Sequence, residues 1–424
     1  MSTQNNSVNS YRRFLSILCL LLCFTFLGTA CGTGTEENIP VASTAPVPTE
    51  TEFVWPANTL RSDAVTFTHG KRNQWGTDAS VWPVLGSELL REQIYSVTFL
   101  DTLSGVPDSA WDVSAGSDGT VLAWTAANGA LYDLFIAAEG GVYSTDSCNT
   151  LFAGYINAEQ ITFGGCFHTN ATTDFSDLFL GCKSLKQVDV QTLDTASAKD
   201  LSGLFYNCET IPALNLSGMD ATAAVDLSKM FFGCQKLLSL DLSGFQTAAV
   251  QDMSLMFYGC QALAELDVSS FTTDLVTNFS NLFYKCYSLQ SLDLSNFSTS
   301  SALDMSGMFS ACFDLRQLQI GSFDTASVNT MSAMFSSCHA LEALDLSHFN
   351  TAAVTDMSNM FQQCSSLKTL DISNFNTAAV KDVSYMFFEC DTVTAKDLES
   401  LDFSSVENFE SFMDGKDWNY LFQK

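Results

Sequence analysis

Basic residues are scarce in this 424-residue chain, where 18 Lys and Arg stand against 47 Asp and Glu and leave a formal net charge of −29. Nucleic-acid binding needs a basic patch that contacts phosphates, so this composition argues against a nucleic-acid partner. Cationic ligands, metal ions or basic proteins fit the charge better. At 46% hydrophobic residues, the chain still has ample material for a buried core.

Catalytic and metal-binding motifs are also missing. No metal-ligand spacing connects the four histidines, and neither a Gly-x-Ser-x-Gly sequence nor a phosphate-binding glycine loop occurs. Cys338 and His339 are neighbours, but Cys338 belongs to a repeated position and His339 replaces Gln or Tyr of other repeats. A hydrolase within residues 53–165 would need clustered acids and histidines, and none is identifiable there. We therefore predict no enzymatic activity, no cofactor and no metal site.

What the chain has in abundance is a 26-residue repeat. Cysteine recurs nine times at this period, each time three residues after the Phe of a Met-Phe or Leu-Phe pair: Cys182, Cys208, Cys234, Cys260, Cys286, Cys312, Cys338, Cys364 and Cys390. A fixed period of this length is typical of a solenoid, in which each repeat forms one rung. Because the cysteines repeat at one apolar position, we expect them to be small buried residues. Cys148 and Cys166 lie off this period and could pair with each other.

Each repeat contains two predicted elements. The run Leu-x-x-Leu-Asp-Leu-Ser alternates with period two and predicts a short parallel strand with inward leucines, as at 214–217, 240–243, 266–269, 292–295, 344–347 and 370–373. The run Asp-Met-Ser-x-Met-Phe has apolar residues three and four apart and predicts one helical or 3₁₀ turn, capped by its aspartate. The sequence therefore predicts an α/β solenoid of about nine rungs.

The repeat consensus resembles a known family. Met-Phe-x-x-Cys-x-x-Leu-x-x-Leu-Asp-Leu-Ser-x-Phe-x-Thr-x-x-Val-x-Asp-Met-Ser is similar to the leucine-rich repeats of BspA-like bacterial surface proteins, over roughly residues 170–395. That group is rich in lipoproteins and cell-wall proteins. The resemblance implies a leucine-rich-repeat stack and extracellular attachment to host proteins or to other cells, without a known enzymatic role. The specific ligand does not carry over, because ligands vary within the family.

The amino terminus resembles an export signal. Arg12 and Arg13 precede a 14-residue apolar run, 14–27, which is too short to span a membrane. Gly28-Thr-Ala-Cys31 follows and resembles a bacterial lipobox, which implies a lipid anchor on Cys31, although Gly28 stands where a lipobox usually has Leu. The alternative is ordinary cleavage after Ala30 and a secreted product.

These features predict five segments. Residues 1–30 are the signal peptide, and 31–52 form a lipid-anchored flexible tether with almost no apolar bulk. Strand-like stretches in 53–166 predict a β-rich amino-terminal cap on the solenoid of 167–390. Residues 391–424 are the carboxyl-terminal cap, where Leu401-Asp-Phe-Ser comes five residues late and suggests that the repeat register slips. Caps are expected because an open solenoid end would expose strand edges and apolar side chains.

Two repeated positions are candidates for binding. The strand aspartates Asp241, Asp267, Asp293, Asp345 and Asp371 should point outward as an acidic row. Such a row either binds a basic protein or calcium, or is screened by salt and serves solubility. The residues that follow the repeated Phe begin with four aromatics, Tyr206, Phe232, Tyr258 and Tyr284, and continue with Ser310, Ser336 and Gln362. These aromatics either grip a polypeptide or sugar, or pack between adjacent turns.

Together, these patterns predict a non-catalytic, lipid-anchored protein on the outer face of a bacterial membrane. Its solenoid would bind extracellular proteins or surfaces of the host or of neighbouring cells. The alternative is a carbohydrate-binding or nutrient-capturing surface module. The sequence leaves the ligand and the oligomeric state open.

Overall fold

The computed structural model describes residues 57–61, 79–390, 393, 398–399, 401–413, 418 and 421. Helix is almost absent from this part of the chain, which contains three short 3₁₀ turns at Ala79–Val81, Arg91–Gln93 and Val190–Thr192. Within these ranges no helix is long and apolar enough to cross a membrane. The predicted signal peptide and tether, including Cys31, lie outside the described residues.

Eight strands occupy the first described part of the chain. The strands here are β1 (Ile94–Leu100), β2 (Trp111–Asp112), β3 (Leu122–Asn128), β4 (Leu131–Ala137), β5 (Val142–Tyr143), β6 (Gln160–Thr162), β7 (Phe167–His168) and β8 (Gln187–Val188). Six of them form one sheet, and β5 and β7 form a separate parallel pair. The sheet order is β2-β3-β4-β1-β6-β8, and β1 lies parallel to both β4 and β6. Strand β1 lies within residues 53–166, where the sequence predicts strand-like stretches. The sheet continues through β8 into the repeats, and the role of residues 53–166 as a cap remains a prediction.

The repeats contribute further short strands, each of three residues: β9 (Ala213–Asn215), β10 (Ser239–Asp241), β11 (Ser291–Asp293), β12 (Gln317–Gln319), β13 (Ala343–Asp345) and β14 (Thr369–Asp371). Their pairing is parallel and in register, so that Leu240 lies beside Leu214 and Leu370 beside Leu344. The central leucine faces inward and its two neighbours are exposed, as the alternation predicts. The prediction of a strand at 266–269 is wrong. One forms instead at Gln317–Gln319, where Gln replaces the usual Asp.

A continuous ladder of single parallel bridges joins the rungs on another side. Ten consecutive bridges link one residue per rung from Ser147 to Asn408. The ladder therefore runs beyond both ends of the predicted solenoid range, 167–390. The predicted slip of register after Cys390 is wrong, because Asp382 still pairs with Asn408 and the Phe387 amide still donates to the carbonyl of Phe412. Leu401 is buried and occupies the position equivalent to Phe375, so the Leu401-Asp-Phe-Ser run is not a delayed strand.

The predicted helical turn in each repeat is also wrong. The Asp-Met-Ser-x-Met-Phe run forms successive tight turns in which one residue is left-handed, for example Lys229 and Leu255, both with φ of 60°. Every second backbone amide in this run donates to a carbonyl of the next rung, as the Lys229 amide does to the Ser254 carbonyl at 2.9 Å. The amides between them close the turns, by donating either to the aspartate side chain two residues earlier or to a carbonyl three residues earlier. A helix would use these amides internally. Stacking on the neighbouring rung satisfies them instead.

The core is built from columns of identical side chains. The repeated Phe residues stack nearly parallel, with ring centroids 5.3–5.8 Å apart from Phe179 to Phe387. A buried threonine column runs beside them. The Thr351 hydroxyl donates to the carbonyl of Asn376 at 2.9 Å and accepts from the amide of the same residue at 2.7 Å. These columns hold the rungs in register and so present the surface residues in rows.

Candidate functional site

The five predicted strand aspartates, Asp241, Asp267, Asp293, Asp345 and Asp371, are all exposed. In each, one carboxylate oxygen accepts a hydrogen bond from the amide of the serine two residues later, at 2.9–3.0 Å. The serine hydroxyl and then its amide hold the pKa of Asp241 and of Asp345 below the ordinary value. These residues therefore close a turn at the end of the strand while their negative charge remains at the surface.

Register brings some of these aspartates together and separates others. Asp345 and Asp371 are direct partners in the β13–β14 pair. Asp241 instead faces Asn215, and Asp293 faces Gln319. The acidic row is thus interrupted at both of these positions. Asp267 lies on the rung between Asp241 and Asp293.

A second acidic row lies on the bridge ladder. From Asp174 onward seven of the ten ladder residues are aspartates. In order, these ten residues are Asp174, Asp200, Asp226, Asp252, Asn278, Asp304, Thr330, Asp356, Asp382 and Asn408. The predicted capping role is found in a modified form, because these aspartates accept a serine amide in a turn, not in a helix, as Asp226 does from Ser228 at 2.8 Å. Burial, and next the neighbouring Asp200 and Asp252, raise the pKa of Asp226. Among the described residues no group of side chains has the arrangement of a metal site.

The four predicted aromatics form one continuous stack. Ring centroids are 4.5 Å apart for Tyr206 and Phe232, 4.3 Å for Phe232 and Tyr258, and 4.9 Å for Tyr258 and Tyr284. All four side chains are half-buried. The rings therefore pack between adjacent turns and still keep part of their surface exposed. A role in gripping a polypeptide or sugar remains a prediction.

The sequence analysis did not predict a second aromatic stack that the structure contains. It occupies the position directly after the repeated cysteine, where Tyr287, Phe313 and His339 stack at 4.6 and 4.8 Å. Aligning the repeats on the cysteine would have revealed it, because the same position holds Gln235, Gln261 and Ser365 in other rungs.

In the sequence, Lys285 lies between the last ring of the first stack, Tyr284, and the first ring of the second, Tyr287. Its ammonium group is 3.2 Å from the hydroxyl of Tyr258 and 5.0 Å from the ring centroid of Tyr284. The hydrogen bond to Tyr258 raises the pKa of this lysine. A cation is thus fixed against the last two rings of the first stack.

The repeated cysteines are buried and point into the core. From Cys208 to Cys364 each thiol donates to the carbonyl of the Phe in the preceding rung, at 3.1–3.3 Å. Burial raises the pKa of Cys234 and Cys286 to about 12. Cys148 and Cys166 are both free thiols, so the possible disulfide between them is absent.

A shallow cleft of about 340 Å³ lies beside β5 and β7. Its lining includes Tyr143, His168 and Asp194. The His168 ring stacks on Tyr143 at 4.6 Å and is 3.2 Å from the carbonyl oxygen of Gly140, so the imidazole is already engaged by the protein.

Comparison with solved structures gives a slight likeness to one chain, from "Crystal structure of TLR13-ssRNA13 complex". The match has 15% sequence identity and a TM-score of 0.20, covers 63% of this chain and spans about half (49%) of that one. A likeness this slight carries nothing about partners or ligands over to this chain. Comparison with curated proteins gives no significant match.

A family model matches the repeats directly. Three overlapping matches cover residues 146–237, 225–340 and 311–420, which together take in more than half of the chain and coincide with the bridge ladder. The chain therefore belongs to the family described as "Mycoplasma protein of unknown function, DUF285".

Proposed function

We propose that this protein is a non-catalytic cell-surface protein that binds proteins of the host or of neighbouring cells through the strand face of its solenoid. The observation that carries the proposal is the regular exposure of this face. In β9, β11 and β13 the central residue is buried while both flanking residues are exposed. Each of these strands pairs in register with the strand of the next rung, β10, β12 or β14. A rigid, repeated surface of this kind suits an extended protein interface.

A basic partner fits this face best. The exposed aspartates carry their charge at the strand ends, and the whole chain has a net charge of −29. Complementary charge steers association and selects between partners more than it adds affinity. Binding should therefore weaken as salt screens the charges.

The experiment captures extracellular proteins on the fragment 32–424 at low and high salt, with a paired variant. Asp345→Asn with Asp371→Asn removes two adjacent charges and keeps the turn acceptor, because Asn215 accepts the Ser217 amide at 2.9 Å in the same position. The matched control is Asp220→Asn with Asp324→Asn, which removes two exposed turn-capping charges away from the strands. We expect salt-sensitive capture of basic proteins that the first pair weakens and the control does not. Equal losses from both pairs would reject the strand face as the interface.

The membrane attachment is part of the proposal and rests on the lipobox-like sequence at Cys31. A lipid on this cysteine, followed by the tether of residues 32–52, would hold the solenoid away from the outer face of the membrane. Growth of the expressing bacterium with radiolabelled palmitate should label the wild-type protein and leave Cys31→Ala unlabelled. Release of unlabelled wild-type protein into the medium would favour the secreted alternative.

The carbohydrate-binding alternative gains little from the aromatic residues. Sugars usually stack on an exposed aromatic face, and the faces of Phe232 and Tyr258 are covered by their neighbours at 4.3–4.9 Å. A glycan array with the same fragment tests this alternative directly, and salt-insensitive glycan capture would favour it.

A further inference from the structure

The two aromatic stacks lie on six consecutive rungs, and both reach the surface. We call the two stacks together the aromatic ribbon, and its members are Tyr206, Phe232, Tyr258, Tyr284, Tyr287, Phe313 and His339. Its rings occupy the position after the repeated Phe as far as Tyr284, and from Tyr287 onward they occupy the position after the repeated cysteine. Every one of the six rungs supplies at least one ring, and the rung of Cys286 supplies two.

For the rings inside each stack, the edges and not the faces are exposed. Phe232 is nearly parallel to both Tyr206 and Tyr258, at 2° and 6°, so both of its faces are covered. Because its side chain is only half-buried, the solvent meets its edge. An aromatic edge carries the positive part of the ring quadrupole and so favours carbonyl oxygens and the faces of other π groups.

Stacking also makes the ribbon rigid before any partner arrives. Phe313, for example, is held between Tyr287 at 4° and His339 at 9°. Tyrosine-rich surfaces contribute contact area with little loss of side-chain entropy, and fixed rings lose still less. The ribbon thus has the composition and the preorganisation of an interaction hot spot.

We propose that the aromatic ribbon binds an extended, proline-rich polypeptide in the polyproline II conformation. One turn of that helix has three residues and rises about 9.3 Å. Two rungs rise about 9.6 Å at a strand spacing of roughly 4.8 Å. One side of such a peptide therefore meets every second rung, and the six rungs accommodate about eight residues.

Hydrogen-bonding chemistry favours this conformation over an added strand. A polyproline II peptide has no internal hydrogen bonds, so its carbonyl groups are available as acceptors. The ribbon offers ring edges and the ammonium group of Lys285 to these carbonyls, whereas adding a strand needs an open backbone edge. The net charge of −29 disfavours an acidic peptide, so we expect neutral or basic residues between the prolines.

This inference rests on the proposed protein-binding role but uses different residues, nine positions before the strand aspartates in the first stack and six positions before them in the second. The probe is a labelled peptide of four Pro-Pro-Lys units, compared with four Gly-Ser-Lys units of equal length and charge. Binding to the fragment 32–424 is followed by fluorescence anisotropy at low and high salt. We expect the proline peptide to bind at least about tenfold more tightly, with the difference retained at high salt.

Variants locate the site. Tyr258→Ser with Tyr284→Ser, and separately Phe313→Gln, introduce residues that the repeat already has at these positions, namely Ser310, Ser336, Gln235 and Gln261. Phe388→Ser is the matched control, since Phe388 occupies the same position as Tyr258 and lies outside the ribbon. We expect about a tenfold loss of proline-peptide binding in the ribbon variants and no loss in the control.

Equal affinity for the two peptides, or full binding by both ribbon variants, would overturn the proposal. If the proline peptide fails while basic proteins still bind through Asp345 and Asp371, only the ribbon proposal is rejected. If neither surface binds anything, the protein-binding role itself is rejected.

Discussion

Asn278 donates a hydrogen bond from its side-chain amide to a carboxylate oxygen of Asp252 on the adjacent rung, at 3.2 Å. The side-chain oxygen of Asn278 also accepts a hydrogen bond from the backbone amide of Ser280, at 3.0 Å, as the carboxylate oxygens of the aspartates in the same row do. Asparagine can therefore replace aspartate on the bridge ladder without loss of the turn. It also exchanges a repulsion between carboxylates for an attraction.

Asp226→Asn should therefore stabilise the protein at neutral pH. Burial and the adjacent carboxylates raise the folded-state pKa of Asp226. The free energy that this group contributes to folding is therefore fully present below its unfolded-state pKa, and it is lost as the pH rises through its folded-state pKa. We expect a gain of about 0.5–1 kcal/mol in the free energy of unfolding at pH 7 and little change near pH 3, measured by urea titration. Asp304→Asn is the control, because its ladder neighbours are Asn278 and Thr330. Equal gains for Asp226→Asn at both pH values would contradict the electrostatic explanation.

Thr351→Val should destabilise the solenoid. The buried hydroxyl of Thr351 satisfies both the amide and the carbonyl of Asn376 on the next rung, and valine leaves both groups without it. We expect a loss of about 2–3 kcal/mol in chemical denaturation. Thr355→Val is the comparison, since that hydroxyl is exposed and donates one bond of 3.2 Å. A loss no larger than that of Thr355→Val would show that the threonine column does not hold the rungs together.

Thiol reactivity should distinguish Cys166 from the repeated cysteines. Cys166 is partly exposed, while Cys208 to Cys364 are buried, and burial raises the pKa values of Cys234 and Cys286 to about 12. In a protein lacking residues 1–31, we expect a maleimide reagent at pH 7 to modify Cys166 well before any repeated cysteine, because the thiolate is the reactive form. Mass spectrometry of the labelled peptides gives the site. Rapid labelling of Cys234 in the folded protein would contradict this arrangement.

Tyr155→Phe should be neutral or stabilising, which is unusual for a buried tyrosine. Its hydroxyl is fully buried and has no hydrogen-bond partner among the residues that the structure describes, and its ring centroid lies 5.2 Å from the buried guanidinium of Arg91. Phenylalanine keeps the ring and removes the unsatisfied group, so we expect a gain of up to about 1 kcal/mol in the free energy of unfolding. Tyr385→Phe provides the contrast, because its exposed hydroxyl bonds to Glu410 at 2.9 Å. A clear loss of stability in Tyr155→Phe would indicate a buried water on that hydroxyl.

The sequence by itself determined the period, the stack and the direction of the repeated side chains. A 26-residue period places each residue beside its equivalent on the next rung, as Leu240 lies beside Leu214. Two-residue alternation then sends Leu240 inward and Asp241 outward. The first conclusion follows from the repeat period and the second from the alternation within one strand, and the tertiary structure agrees with both.

The tertiary structure alone decided the form of the turns and the shape of the surface. Apolar residues three and four apart suit a helix as well as a tight turn, and the choice depended on whether the Lys229 amide bonded within its own rung or to Ser254 of the next. The aromatic ribbon likewise depends on contacts between rungs and on the change of position at Cys286. Each of these features depends on the hydrogen-bond or ring partner that a residue finds on the next rung. The sequence pattern within one repeat does not specify that partner.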